Sequence, residues 1–231
     1  MPTKLQVTFA EDAPKGDVIT ICLIRKDCQI IPDLDQALAA HLIDAMAAFQ
    51  FTGTLGKTML VYHNQTSYLL IGTGAGLCAG ATAENLGGKL FSALAETGAK
   101  RGCLIDHKLD DQLLADICFG AELASYHFDR YFTDNKSDDT QVQLFVTSSS
   151  LQAGSPLMAN RRALANGVFV ARDLVFEPAN KLFPESFAKR CSALADLGLE
   201  VEVLDEAALQ KLGMGRCSVL VRAAAASHVW W

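Results

Sequence analysis

The sequence has no C-x-x-C pair, no dense run of lysine and arginine, no apolar stretch long enough to cross a membrane, and no internal repeat or low-complexity tract. The seven cysteines, Cys22, Cys28, Cys78, Cys103, Cys118, Cys191 and Cys217, are odd in number and lack metal-ligand spacing. That excludes a structural zinc and a disulfide framework and points to a reducing cytosol. Most of them lie in apolar stretches, where a small thiol packs as a hydrophobe. A formal net charge of −6 leaves no electrostatic footprint for nucleic acid or for an anionic membrane surface. Met1-Pro2-Thr3-Lys4 leads straight into a strand pattern, without a signal peptide, and no run of about 20 apolar residues follows. The expectation is a cytoplasmic protein with neither a nucleic-acid nor a membrane partner.

What is present is an ordinary globular composition over 231 residues, half of them hydrophobic and a fifth charged, enough to bury a sizeable core. Leu5, Val7 and Phe9 alternate with polar neighbours and read as a strand, and Val18 to Ile24 is a continuous apolar run expected of a buried strand. Pro32-Asp33 is read as opening a helix through about Phe49, with Leu38, Leu42 and Met46 on one face. Two short strands, Lys57 to Tyr62 and Ser67 to Ile71, flank a turn at His63-Asn64-Gln65. Thr82 is read as capping a helix that Gly98 ends. Gly102 to Asp106 is a strand. Asp110 to Tyr131 reads as one long helix whose apolar face runs from Leu114 through Phe128 to Tyr131. Val142 to Thr147 is a strand, Leu157 to Phe176 a helix, and Pro184 stands in the first turn of another. Val201 to Leu204 reads as a last short strand before a helix from Asp205 to Leu212. Strands interleaved with helices imply an α/β architecture with a mostly parallel or mixed sheet.

Several constellations could carry chemistry. Gly74, Gly76 and Ala79 fit G-x-G-x-x-A between a strand and a helix, with Asp106 ending the next strand. This is the support for an alternative function, a free-standing α/β module for a nucleotide-like ligand. Asp106 lies further on than the usual spacing of about 20 residues, and a structural turn explains the glycines. Asp106, His107, Asp110 and Asp111 form the one acidic cluster with a histidine, which a strand end and an Asp-capped helix also explain. His127 reads as packed or solvated. His41, His63 and His228 have no ligand spacing, and Ser148 to Ser150 lack a G-x-S-x-G context and read as linker. No catalytic, cofactor-binding or metal-ligating residue is assigned.

Three segments resemble the leucine (cytosol) aminopeptidase family. Gly120 to Tyr131, reading GAELASYHFDRY, is similar to a family helix with the pattern "LASYRFDRY". Ala171 to Asn180, reading ARDLVFEPAN, resembles "ARDLVNEPAN" at the start of the catalytic domain. Pro184-Glu185-Ser186-Phe187-Ala188, Val201 to Asp205 and Leu212-Gly213-Met214-Gly215 resemble the helix, strand and "LGMG" segment that follow. Phe176 stands where the family usually has Asn, and Phe183 where it usually has Thr.

The resemblance implies a macro-domain-like N-terminal α/β domain over about residues 1–150, a linker helix over 151–170, and the truncated start of an α/β catalytic domain over 171–215. It implies removal of N-terminal amino acids from peptides by a two-metal site of zinc or manganese whose bridging water is activated, in a homohexamer. The ligands lie in motifs resembling "VGKGVTFDTGG" and "NTDAEGR", and this sequence contains neither. The expectation is therefore a truncated, non-catalytic chain with no cofactor of its own, monomeric or prone to aggregate. After Gly215 the family usually reads "ALLGVGQGS", whereas here Arg216 to Ala224 read RCSVLVRAA. Deleting one nucleotide from a codon string for the family peptide yields this tail, so residues 216–231 are read as frameshifted, with ordinary divergence as the alternative.

Overall fold

The computed structural model describes residues 5–28, 30, 34–76, 79–105, 109–131, 141–148, 150–152 and 154–215. The readings placed on Pro32, Asp33, Asp106, His107, Ser149, His228 and the tail at 216–231 lie outside these residues.

Six strands form one sheet: β1 (Leu5–Ala10), β2 (Ile19–Arg25), β3 (Thr58–His63), β4 (Thr66–Gly74), β5 (Arg101–Ile105) and β6 (Val142–Thr147). Their order is β1-β6-β5-β2-β4-β3. All neighbours run parallel except the β3–β4 hairpin. Asn64 and Gln65 close that hairpin with φ of 46° and 64°, the positive values that a two-residue turn between twisted strands requires.

The apolar run on β2 is explained by its central place. A strand presents alternate side chains to opposite faces, and both faces of β2 are covered. Ile21 and Leu23 join a core with α2 (Ala81–Glu96) and α3 (Asp111–Ala124). Cys22 and Ile24 join a second core with Leu42 and Met46 of α1 (Gln36–Ala48). Helices α2 and α3 approach closely at two glycines. A Cβ on Gly87 would stand 1.9 Å from the Ile117 carbonyl oxygen, and one on Gly120 equally close to that of Glu84. Only glycine permits that approach.

The chain divides into two compact units, residues 1–169 and 170–231, and the division falls inside α4 (Pro156–Phe176). In the first unit, Ala165 and Phe169 pack with Phe119, and Tyr126 stacks on Phe169 at 5.6 Å between ring centres. The described part of the second unit holds the end of α4, α5 (Pro184–Ser192), a 3-10 turn (Ala193–Leu197) and α6 (Glu206–Lys211). Pro184 stands in the first turn of α5, as read from the sequence.

Four local readings need correction. Helix α1 opens at Gln36 after Asp35, whose carboxylate accepts the amides of Ala37 and Leu38 at 3.2 and 3.4 Å. Thr82 is not a cap, because α2 starts at Ala81 behind Gly80. Helix α3 stops at Ala124, not at Tyr131. The Ser125 hydroxyl donates back to the Glu122 carbonyl at 2.7 Å, a bond that competes with helix propagation, and Tyr131 is 45% exposed rather than buried. Residues 201–204 form no strand. A strand exists only as part of a ladder, and no described segment pairs with this one.

Candidate functional site

The glycine segment after β4 serves the sheet. A Cβ on Gly72 would meet the Thr54 carbonyl oxygen at 2.1 Å, and one on Gly53 would meet that of Arg25 at 2.0 Å, so the 53–56 loop lies directly on strands β2 and β4. Gly74 donates to the Gly53 carbonyl and accepts from the Lys26 amide, both at 2.9 Å. These contacts account for Gly72 and Gly74 structurally. A Cβ on Gly76 would stand in open space.

At the end of that segment lies a feature the sequence reading passed over. Asp116 is completely buried in the middle of α3. One carboxylate oxygen accepts the Gly80 amide at 2.6 Å, and the other accepts the Gln112 side-chain amide at 2.9 Å and pairs with the Arg161 guanidinium. The Arg161 guanidinium also lies over the Phe119 ring at 5.6 Å. A buried carboxylate is tolerated only when paired and hydrogen-bonded. The available signal was an acidic residue inside the apolar stretch Leu113 to Phe119. The carboxylate already occupies the Gly80 amide, a donor that a phosphate at the start of α2 would otherwise use.

The acidic cluster separates into structural roles. Asp110 caps α3, accepting the amides of Gln112 and Leu113 at 3.1 and 3.4 Å, and Asp111 accepts the Ser150 hydroxyl at 2.6 Å. Ser148 accepts the Leu151 amide at 3.1 Å in a turn. His41 and His63 lie with ring centres 4.5 Å apart, and the His41 Nε2 faces the Tyr62 carbonyl at 3.3 Å. His127 is exposed beyond the end of α3.

A cavity of about 800 Å³ runs along the outer edge of β1 beside Gln6, Thr8, Glu122, Gln141, Arg162 and Asn166. Burial pushes the Glu122 carboxyl up from its ordinary range, and the Arg162 charge partly offsets this. Burial raises the Cys22 and Cys118 thiols to about 12 and the Cys103 thiol to about 11, so all three are protonated at neutral pH.

Among the described residues no group of three or more His, Cys, Asp or Glu is placed to hold a metal ion. The donor set among the described residues does not fit the two-metal centre that the sequence resemblance implies.

Two profiles of one family match the chain. "Cytosol aminopeptidase family, N-terminal domain" matches residues 26–135 and "Cytosol aminopeptidase family, catalytic domain" matches residues 169–229. The catalytic-domain match thus extends across the segment that the sequence reading took as frameshifted. A probable cytosol aminopeptidase of a Bradyrhizobium species is 36% identical over 220 residues, 88% of this chain and 43% of the relative. That of Caulobacter vibrioides is 35% identical over 191 residues, 78% and 38%. A tomato leucine aminopeptidase variant shares the fold with a TM-score of 0.75 at 19% identity, covering 90% of this chain and 46% of that one. The bottromycin maturation enzyme BotP in complex with Mn gives 0.63 at 22% identity, covering 86% and 40%. The chain spans less than half the length of each of these relatives.

Proposed function

The chain belongs to the cytosol aminopeptidase family, and we propose that it is the N-terminal half of such an enzyme, non-catalytic on its own. The observation that carries this reading is the missing donor set. The sequence has neither of the two motifs that would supply metal ligands, and no described group of side chains replaces them. Two metals sharing a water would lower its pKa and polarise the scissile carbonyl. The groups that this chain does place, a buried Asp116–Arg161 pair and protonated thiols, do neither.

On this reading unit 1 is a macro-domain-like α/β scaffold and unit 2 is the beginning of the catalytic domain. The chain is cytoplasmic, monomeric or prone to aggregate, whereas intact relatives form homohexamers. No described helix is long and apolar enough to cross a membrane.

Calorimetric titration of the full chain with manganese chloride tests the reading. No saturable uptake of manganese is expected. Saturable binding of a metal pair would overturn it.

A further inference from the structure

Strand β1 is an outer strand of the sheet, paired on one side only, with β6. The Ala10 carbonyl accepts the Ser148 amide at 3.3 Å, so the backbone of Ala10 faces β6. Backbone groups alternate in direction along a strand, and those of Leu5, Val7 and Phe9 therefore point outward, to an edge that no described strand covers. Edges of this kind are normally blunted by a lysine, a proline or a bulge. Strand β1 contains neither residue, and its register with β6 is unbroken.

The cavity beside that edge is a groove with two walls. One is β1. The other is a stripe of α4 formed by Met158, Arg162 and Asn166, each four residues after the last. Side chains at that spacing follow one another along one helix face at intervals of about 6 Å. The neighbouring stripe holds α4 in place: Arg161 pairs with Asp116, and Ala165 and Phe169 pack with Phe119. The wall is thus formed before any ligand arrives, which favours binding. Met158 shares a core with Leu5, and Val7 and Phe9 pack against the same core.

The dimensions of the walls agree. From Leu5 to Phe9 a strand advances about 13 Å, and from Met158 to Asn166 the helix rises about 12 Å. The groove admits one further strand of about five residues, whose same-face side chains stand about 6.6 Å apart, close to the repeat of the α4 stripe. The central one of three such side chains meets Arg162. The Arg162 guanidinium is exposed and forms no ion pair with a described carboxylate. Glu122 of α3 shares the groove and feels the Arg162 charge without pairing with it. A carboxylate on the incoming strand supplies the missing acceptor in a charge-assisted hydrogen bond. Because Arg162 lies in the middle of the stripe, that carboxylate belongs to a side chain and not to a chain terminus. A second copy of this chain offers its own β1 edge, Leu5–Ala10, which has no acidic residue.

We propose that the groove between β1 and α4 binds an extended acidic peptide segment, which adds to the β1 edge as a further strand and places a central Asp or Glu side chain on Arg162. The inference goes beyond the reading of the chain as one half of an aminopeptidase and does not depend on it, since the groove is lined by residues of unit 1 alone.

The probe is the peptide Thr-Val-Thr-Glu-Thr-Val-Thr, amidated at its C-terminus and labelled with fluorescein at its N-terminus. It reads the same in both directions, so parallel and antiparallel pairing present the same glutamate. Titration with the full chain should raise its fluorescence anisotropy to saturation, and the amides of Val7 and Phe9 should gain protection from hydrogen exchange. Glutamine in place of the peptide's glutamate, or Arg162→Ala in the chain, should each weaken binding about tenfold or more, and the two together no more than either alone. Methylating alternate peptide amides should abolish binding in one of the two possible sets and spare it in the other, because a strand turns only every second amide toward its neighbour. Arg162 is exposed, so the melting of unit 1 should survive its replacement; if it does not, the glutamine peptide on the unaltered chain carries the comparison. Absence of saturable binding, equal binding of the glutamine peptide, or tolerance of both methylated sets would overturn the proposal. A dimer of the chain alone in sedimentation velocity, with the same two amides protected, would assign the edge to a second copy and overturn it equally.

Discussion

Arg161 of α4 pairs with Asp116 of α3, and the same carboxylate holds the Gly80 amide ahead of α2, so one buried charge ties together three helices of unit 1. The Asp116 side chain is 1% exposed and that of Arg161 24%, so water screens the pair only from one side.

Asp116→Ala would leave a largely desolvated guanidinium and a buried amide without their acceptor. Breaking a buried pair from one side costs about 3–5 kcal/mol, and the partial exposure of Arg161 places this case toward the lower figure. Thermal unfolding of the full chain should show a sharply lowered transition for unit 1. An unchanged melting temperature would mean that the pair contributes nothing to joining the helices.

Gly87→Ala and Gly120→Ala should each destabilise unit 1, because the added methyl would meet a backbone oxygen at 1.9 Å. Forcing the two helices apart costs roughly 1–3 kcal/mol. Gly167→Ala on α4 is the control, since a Cβ there meets nothing within 4 Å, and helix propensity favours alanine by up to about 1 kcal/mol. Denaturant unfolding should therefore move in opposite directions. A loss of stability from Gly167→Ala equal to that from the other two would contradict the account of the α2–α3 contact.

The buried thiols predict a stability that declines in alkali. Burial raises Cys22 and Cys118 from 9.0 to about 12 and Cys103 from 9.0 to about 11. Below 9.0 both the folded and the unfolded thiols are protonated, and the stabilisation is fully present. Above that value the unfolded chain loses protons that the folded chain keeps, so stability falls by about 1.4 kcal/mol per pH unit for each thiol until the folded value is reached. Denaturant midpoints measured from pH 8 upward should show the decline. Replacing the three cysteines with alanine should flatten it, and an equally steep decline in that variant would assign the effect to other groups.

The framework of unit 1 was legible because its signals are strong and local. The apolar run on β2, the alternation on β1 and the turn at Asn64-Gln65 each allow one structure and reject the others. Boundaries were less legible. Phe128 and Tyr131 continue the helical spacing of α3, but the chain leaves that path after Ser125, where the Ser125 hydroxyl bonds back to Glu122 and Tyr126 stacks on the distant Phe169. Gly80 could not be preferred to Thr82 without knowing that Asp116 would reach its amide across 36 residues. The strand reading at Val201 to Leu204 rested on local pattern alone, whereas a ladder needs a partner. Asp116 itself announced only that a buried carboxylate must be paired, not that Arg161 pairs with it.

The most direct measurement is hydrolysis of leucine p-nitroanilide by the purified full chain with added manganese, beside a protein-free blank and an intact cytosol aminopeptidase. Because no described side chains form a metal-holding group and both ligand motifs are missing from the sequence, the chain should release p-nitroaniline no faster than the blank while the intact enzyme turns over. Release above the blank, growing in proportion to the chain's concentration, would contradict the account.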